Sequence, residues 1–123
     1  EELVAAVHVG RAGLMNTIAL KTVARMRELG AMQISGSIGP AICGSCYEVP
    51  KDLHDQVSAI HPLASSKTRI GTPALDLPKA LIAALAADDV PVVISAGCTL
   101  EDDIYFSYRR NQVTGRQAGV IKL

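Results

Sequence analysis

The stretch Leu3-Val4-Ala5-Ala6-Val7-His8-Val9, followed by Gly10-Arg11-Ala12-Gly13, constrains this chain more than any other. A short, unbroken apolar run closed by glycine is the pattern of a strand covered on both faces. A helical period opens directly behind it, at Leu14. A polar residue at the C-terminal end of such a strand faces the crevice where α/β folds gather their chemistry. That position singles out His8, as a ligand or as a hydrogen-bonded core histidine; the local pattern leaves both open.

The remaining chain continues the alternation. Met15, Ile18, Ala19, Val23, Met26 and Leu29 recur at steps of three and four and predict an amphipathic helix over residues 14–29, with Gly30 as its stop. Met32, Ile34 and Ile38 alternate with polar residues and predict a half-covered strand over 31–38. Gly39-Pro40 ends it. Pro50 opens a helix of about three turns with Leu53, Val57 and Ile60 inward. Residues 61–74, with two prolines, a glycine and four Ser/Thr, read as an exposed loop or moving flap. A helix over 76–87 follows, with Asp76 as its N-cap and Pro78 in its first turn. Residues 91–95 read as a buried strand and 116–122 as a last strand. Strands alternating with helices give an α/β class.

Length allows one domain, and a chain of 123 residues can bury about two-thirds of its unfolded surface. Lys plus Arg and Asp plus Glu balance at 12 each, so no net field draws nucleic acid or an anionic membrane. With one Phe, three Tyr and no Trp, the chain offers little stacking surface for single strands. No apolar run approaches a bilayer span and none reads as a signal peptide. The odd cysteine count speaks against a disulfide framework and for a reducing, cytoplasmic setting. An inner strand at the very start needs neighbours on both sides. The expectation is that residues 1–123 form the C-terminal part of a larger domain.

Two stretches could carry chemistry. Cys43-Gly44-Ser45-Cys46 has the spacing of zinc and thiol-redox sites. A structural zinc wants a second ligand pair, and Cys98 stands alone, so the expectation is ordinary buried thiols. Arg109, Arg110 and Arg116, flanked by Tyr105, Phe106 and Tyr108, could clamp a phosphate or carboxylate. The alternative is a solvated hairpin paired to Glu101, Asp102 and Asp103. Neither the P-loop nor the dinucleotide glycine pattern occurs.

Several stretches taken together resemble one family. They are Val4-Ala5-Ala6-Val7-His8-Val9-Gly10, Ile38-Gly39-Pro40-Ala41-Ile42 with Cys46-Tyr47-Glu48-Val49, Leu75-Asp76-Leu77, Cys98-Thr99, and Phe106-Ser107-Tyr108-Arg109-Arg110 with Thr114-Gly115-Arg116. In this order they resemble the YfiH-like family, also called the laccase-domain or polyphenol oxidase family, whose members are regarded as purine nucleoside phosphorylases. The resemblance implies mixed sheets sandwiched with helices and a zinc site of two histidines and one cysteine. His8 matches the last ligand, in the family's His-Ala-Gly-Trp-Arg-Gly signature. The motifs holding the other two do not occur in this sequence, and Cys43, Cys46 and Cys98 do not match the ligand cysteine. Arg11 stands where Trp is usual, Ala12 where Arg is usual, and Asn111 where Asp commonly follows the double arginine.

Three functional expectations follow. The intact protein is a zinc-dependent phosphorylase of adenosine, inosine and methylthioadenosine, with adenosine deamination as a companion activity. His8 then holds the metal; on charge alone, and not from the resemblance, Arg11 or the Arg109/Arg110 pair could neutralise phosphate. Alternatively it is a copper-dependent oxidase of phenols, a reading that three histidines support poorly. In the third reading this polypeptide is silent without the missing N-terminal half of the same protein.

Overall fold

A computed structural model describes residues 2–123. Four helices, Arg11–Met15 (α1), Ile18–Glu28 (α2), Lys51–Ile60 (α3) and Leu77–Ala86 (α4), pack with four three-residue strands. The strands are Gly36–Ile38 (β1), Ser65–Lys67 (β2), Pro73–Leu75 (β3) and Val92–Ile94 (β4). The class is mixed α/β, as expected, but the sheets are small.

β1 and β4 pair in parallel with Ser37 opposite Val93, and an isolated bridge carries the pairing on to Ala41 and Cys98. A parallel pair needs a long crossover, and α3, the β2–β3 hairpin and α4 supply it. β2 and β3 pair antiparallel, Ser66 opposite Ala74. Residues 47–49 add to the far edge of β3 through Val49 N–H to Pro73 O (3.0 Å) and Leu75 N–H to Tyr47 O (3.1 Å). The expected loop over 61–74 is therefore mostly a hairpin, reached through a short 3-10 turn at Pro62–Ala64. Its Ser and Thr content does not oppose pairing, because the ladder is made by backbone groups.

The helices follow their local signals. Asp76 caps α4, its carboxylate accepting from Lys79 N–H at 3.0 Å. Gly30 takes φ +102°. Its N–H bonds Arg27 O and that of Ala31 bonds Met26 O, the paired closure that a left-handed residue after a helix permits. The helix expected over 14–29 starts earlier, at Arg11, and is broken in two. Thr17 takes φ +62° between α1 and α2, a conformation that a β-branched residue rarely adopts and no local pattern announces.

Two core clusters meet at Val9 and Leu81. One holds Leu14, Val49, Val57, Ala64, Leu75 and Ala80; the other holds Ala19, Val23, Leu85 and Val90. Met15 joins the first, as its helical position predicts.

Four strand expectations are corrected. Residues 3–9 form no strand among the described residues, and Val4 and Val7 are exposed. An extended segment becomes a strand only when another backbone takes its N–H and C=O groups, and none here does. The half-covered strand of 31–38 shrinks to β1, with Met32 exposed. Residues 116–122 lie exposed and unpaired. β4 forms, but Val93 and Ile94 are exposed rather than buried. Among the described residues no helix is long and apolar enough to cross a membrane.

Candidate functional site

His8 is exposed on the extended segment before α1, where a Cβ added at Gly10 would lie 3.4 Å from its Nε2. It is not the hydrogen-bonded core histidine that the sequence also allowed. No group of three or more His, Cys, Asp or Glu donors includes it among the described residues. One imidazole cannot hold a metal ion, so the described residues alone do not fit the zinc site that the resemblance implies. The other histidines do different work. His54 bridges Asp55 Oδ1 and Ser65 Oγ, each at 3.0 Å. His61 Nε2 is buried without a partner.

The arginines part company. Arg11 begins α1 and is exposed. Arg109 lies over the Tyr47 ring, 4.6 Å from its centroid, and donates to Glu48 O at 2.5 Å. Arg110 is half-buried and donates to four carbonyls: Thr99 (3.0 Å), Leu100 (3.2 Å), Asp102 (3.4 Å) and Tyr105 (2.6 Å). Its planar fork gathers one loop around itself. The acidic run does not pair with these arginines; Glu101 instead makes an ion pair with Arg69.

The densest set of reactive side chains lies elsewhere. Cys43, Cys46, Cys98 and Glu101 converge with all four donor atoms within 4.8 Å of one another. The parallel β1–β4 pairing does this. It sets Ala41 beside Cys98, and Thr99 N–H bonds Ala41 O at 3.0 Å. Cys43 N–H then donates to Cys98 Sγ at 3.3 Å, and Cys46 Sγ donates to Glu101 Oε1 at 3.4 Å. The thiols are free and partly buried, so the expectation that Cys98 stands apart from the pair is corrected.

The local electrostatics are uneven. Burial pushes the Cys46 thiol up to about 12, helped by hydrogen bonds with Cys43, Glu101 and Cys98. Burial also pushes Cys98 upward, but the N–H groups of Cys43, Glu101 and Leu100, with the Cys43 thiol, outweigh it and hold Cys98 below the ordinary cysteine value. Hydrogen bonds from Arg69 and then Cys46 hold Glu101 below the usual carboxylate range. Three thiols and one carboxylate are the donors that a borderline-soft cation takes.

Comparison with known proteins sets these residues in a family. Over residues 1–123 the chain matches the family described as multi-copper polyphenol oxidoreductase laccase, and it belongs to that family. Its relatives carry a different activity in their names. It is 43% identical over 122 residues to a purine nucleoside phosphorylase of Streptomyces coelicolor, covering 97% of this chain and 50% of that protein. A purine nucleoside phosphorylase of Corynebacterium glutamicum is 43% identical over 98% of this chain and 50% of its own length. One from Mycobacterium tuberculosis is 37% identical over 97% and 49%. The chain thus spans about half the length of the curated relatives it matches. No solved structure matches it.

Proposed function

We propose that this chain is part of a purine nucleoside phosphorylase that cleaves the glycosidic bond of adenosine, inosine or methylthioadenosine with phosphate. The observation that carries this reading is 43% identity across nearly the whole chain to proteins bearing that name. The half of those relatives' length that this chain does not match would complete the domain. In the resemblance, the other two metal ligands belong to motifs that this sequence lacks. His8 would then be one of three zinc ligands; its exposure on an unpaired segment supports this. Zinc, once held by the full set, would supply electrostatic activation of an oxygen nucleophile.

This chain's own residues would bind and orient the anionic substrate. Arg11, three residues from His8 and exposed, would neutralise phosphate. Arg109, stiffened by its stack on Tyr47, would offer its remaining N–H groups. Arg110, committed to four carbonyls, would act through the loop it holds.

The description of the family favours a second reading, oxidation of phenols at copper. The placement of the histidines speaks against it: His54 is tied to Asp55 and Ser65 and His61 is buried, so the three form no cluster. Release of free base from adenosine by the full-length protein tests the proposal. Phosphate-dependent release, lost with the bound zinc in His8→Ala, is expected. Full activity and retained zinc in that variant would remove His8 from the site. Stoichiometric copper with phenol turnover, and no phosphorolysis, would overturn the reading itself.

A further inference from the structure

The four converging donors are two matched turns. Cys43-Gly44-Ser45-Cys46 follows β1 and Cys98-Thr99-Leu100-Glu101 follows β4, each with donors at its first and fourth positions. Both fold back tightly: Cys46 N–H bonds Cys43 O and Asp102 N–H bonds Cys98 O, each at 3.0 Å. A pair of such turns, brought together by parallel strands, is how a protein builds a closed tetrahedral site from local pieces. Glutamate in the fourth place hides the pairing from a search for a second CxxC.

We propose that Cys43, Cys46, Cys98 and Glu101 form a structural site for one zinc ion that fastens the turn after β1 to the turn after β4. The site is distinct from the ligand set to which His8 would belong.

Three observations carry this. First, tetrahedral coordination at Zn–S of about 2.3 Å puts sulfurs about 3.8 Å apart. Donors within 4.8 Å of one another reach that spacing by about 1 Å of side-chain adjustment. Second, the surroundings suit a thiolate cluster. The Cys43 N–H points at Cys98 Sγ, the Ser45 hydroxyl sits 3.3 Å from Cys43 Sγ, and the Arg69 guanidinium lies 4.0 Å from Cys46 Sγ while pairing with Glu101. Hydrogen bonds and a nearby cation of this kind orient ligands and offset the charge of a thiolate-rich site. Third, Glu101 uses Oε1 for both Cys46 and Arg69, so its second oxygen can ligate while the first keeps Arg69. Four protein donors leave no open position, which marks a structural site rather than a catalytic one. The strands it would fasten are only three residues long, and β4 exposes Val93 and Ile94, so packing holds this edge weakly.

The test uses the full-length protein carrying His8→Ala, purified reduced, so that the two sites are counted separately. One Zn²⁺ per chain is expected. Co²⁺ in its place should show thiolate-to-cobalt charge-transfer and tetrahedral d–d bands, and X-ray absorption should find three sulfurs and one oxygen. Cys98→Ser and Glu101→Gln should each weaken binding at least about tenfold, and Glu101→Cys should raise the sulfur count to four. Should Cys98→Ser fail to fold, the sulfur counts of the parent and of Glu101→Cys still decide. An ion-free reduced protein, a nitrogen–oxygen shell, or a Cys43–Cys46 disulfide that persists in reducing buffer with zinc present would overturn the assignment.

Discussion

Gly44→Ala is the sharpest test of how the cysteine turn is seated. A Cβ at Gly44 would stand 2.6 Å from Asp76 Cβ, 2.7 Å from Asp76 Oδ2 and 2.8 Å from Asp76 Cγ. Carbon atoms in comfortable contact are about 3.5–4.0 Å apart, so something must retreat by about 1 Å. Rotating the aspartate does not help, because its Cβ is itself among the atoms struck. Its backbone is fixed by Asp76 N–H to Ala64 O at 2.8 Å, beside the fully buried Leu75. On the other side, Ser66 Oγ holds Gly44 O at 2.8 Å. Forced overpacking costs about 1–3 kcal/mol, and disturbing the Asp76 cap of α4 adds about 1 kcal/mol. The expected loss is about 2–4 kcal/mol, read as a lower urea midpoint at unchanged slope. Asp76→Gly removes every atom that the new methyl strikes and alone costs a few tenths of a kcal/mol, because glycine is a tolerated cap. The double variant should therefore be more stable than Gly44→Ala, with a coupling of about 1.5 kcal/mol or more. Costs that add within about 0.5 kcal/mol would refute the contact.

Leu75→Ala should cost about 3–4 kcal/mol in the same titration, since Leu75 is fully buried against Leu14, Val49, Val57 and Ala80. Ile70→Ala, at an 84% exposed position, should stay within about 0.5 kcal/mol. Equal effects would mean that the core is misplaced. Arg110→Lys keeps the charge but loses the fork that gathers four carbonyls, and should speed limited proteolysis within residues 99–110. Arg109→Lys, which touches one carbonyl and one ring, should do so less; the reverse order would contradict the assigned roles.

Helices were the legible part of this fold. α2, α3 and α4 lie where apolar spacing, Gly30, Pro50 and Asp76 put them, because a helix closes its hydrogen bonds within four residues and its end signals are equally local. Even so, the break at Thr17 left no trace, since a left-handed threonine is held by its surroundings and not by its own preference. Strands were less legible for the opposite reason. Residues 3–9 and 91–95 carry similar apolar runs, yet among the described residues only the second finds a partner, β1, more than fifty positions earlier.

The candidate site divides along the same line. As candidates, His8 could be named from motif order and Arg11, Arg109 and Arg110 from their charge; the family could be named from the order of its stretches, because residue identity at fixed spacing survives without coordinates. What the sequence could not tell is which arginine is free to meet a ligand: Arg110 spends its guanidinium on carbonyls of its own loop, while Arg11 lies exposed. Nor could it join Cys98 and Glu101 to Cys43 and Cys46. Fifty-five positions separate Cys43 from Cys98, and only the parallel register that sets Ala41 beside Cys98 closes that distance. Periodicity records contacts within a turn or two of chain; a side-chain cluster built across a crossover exists only once the strands have paired.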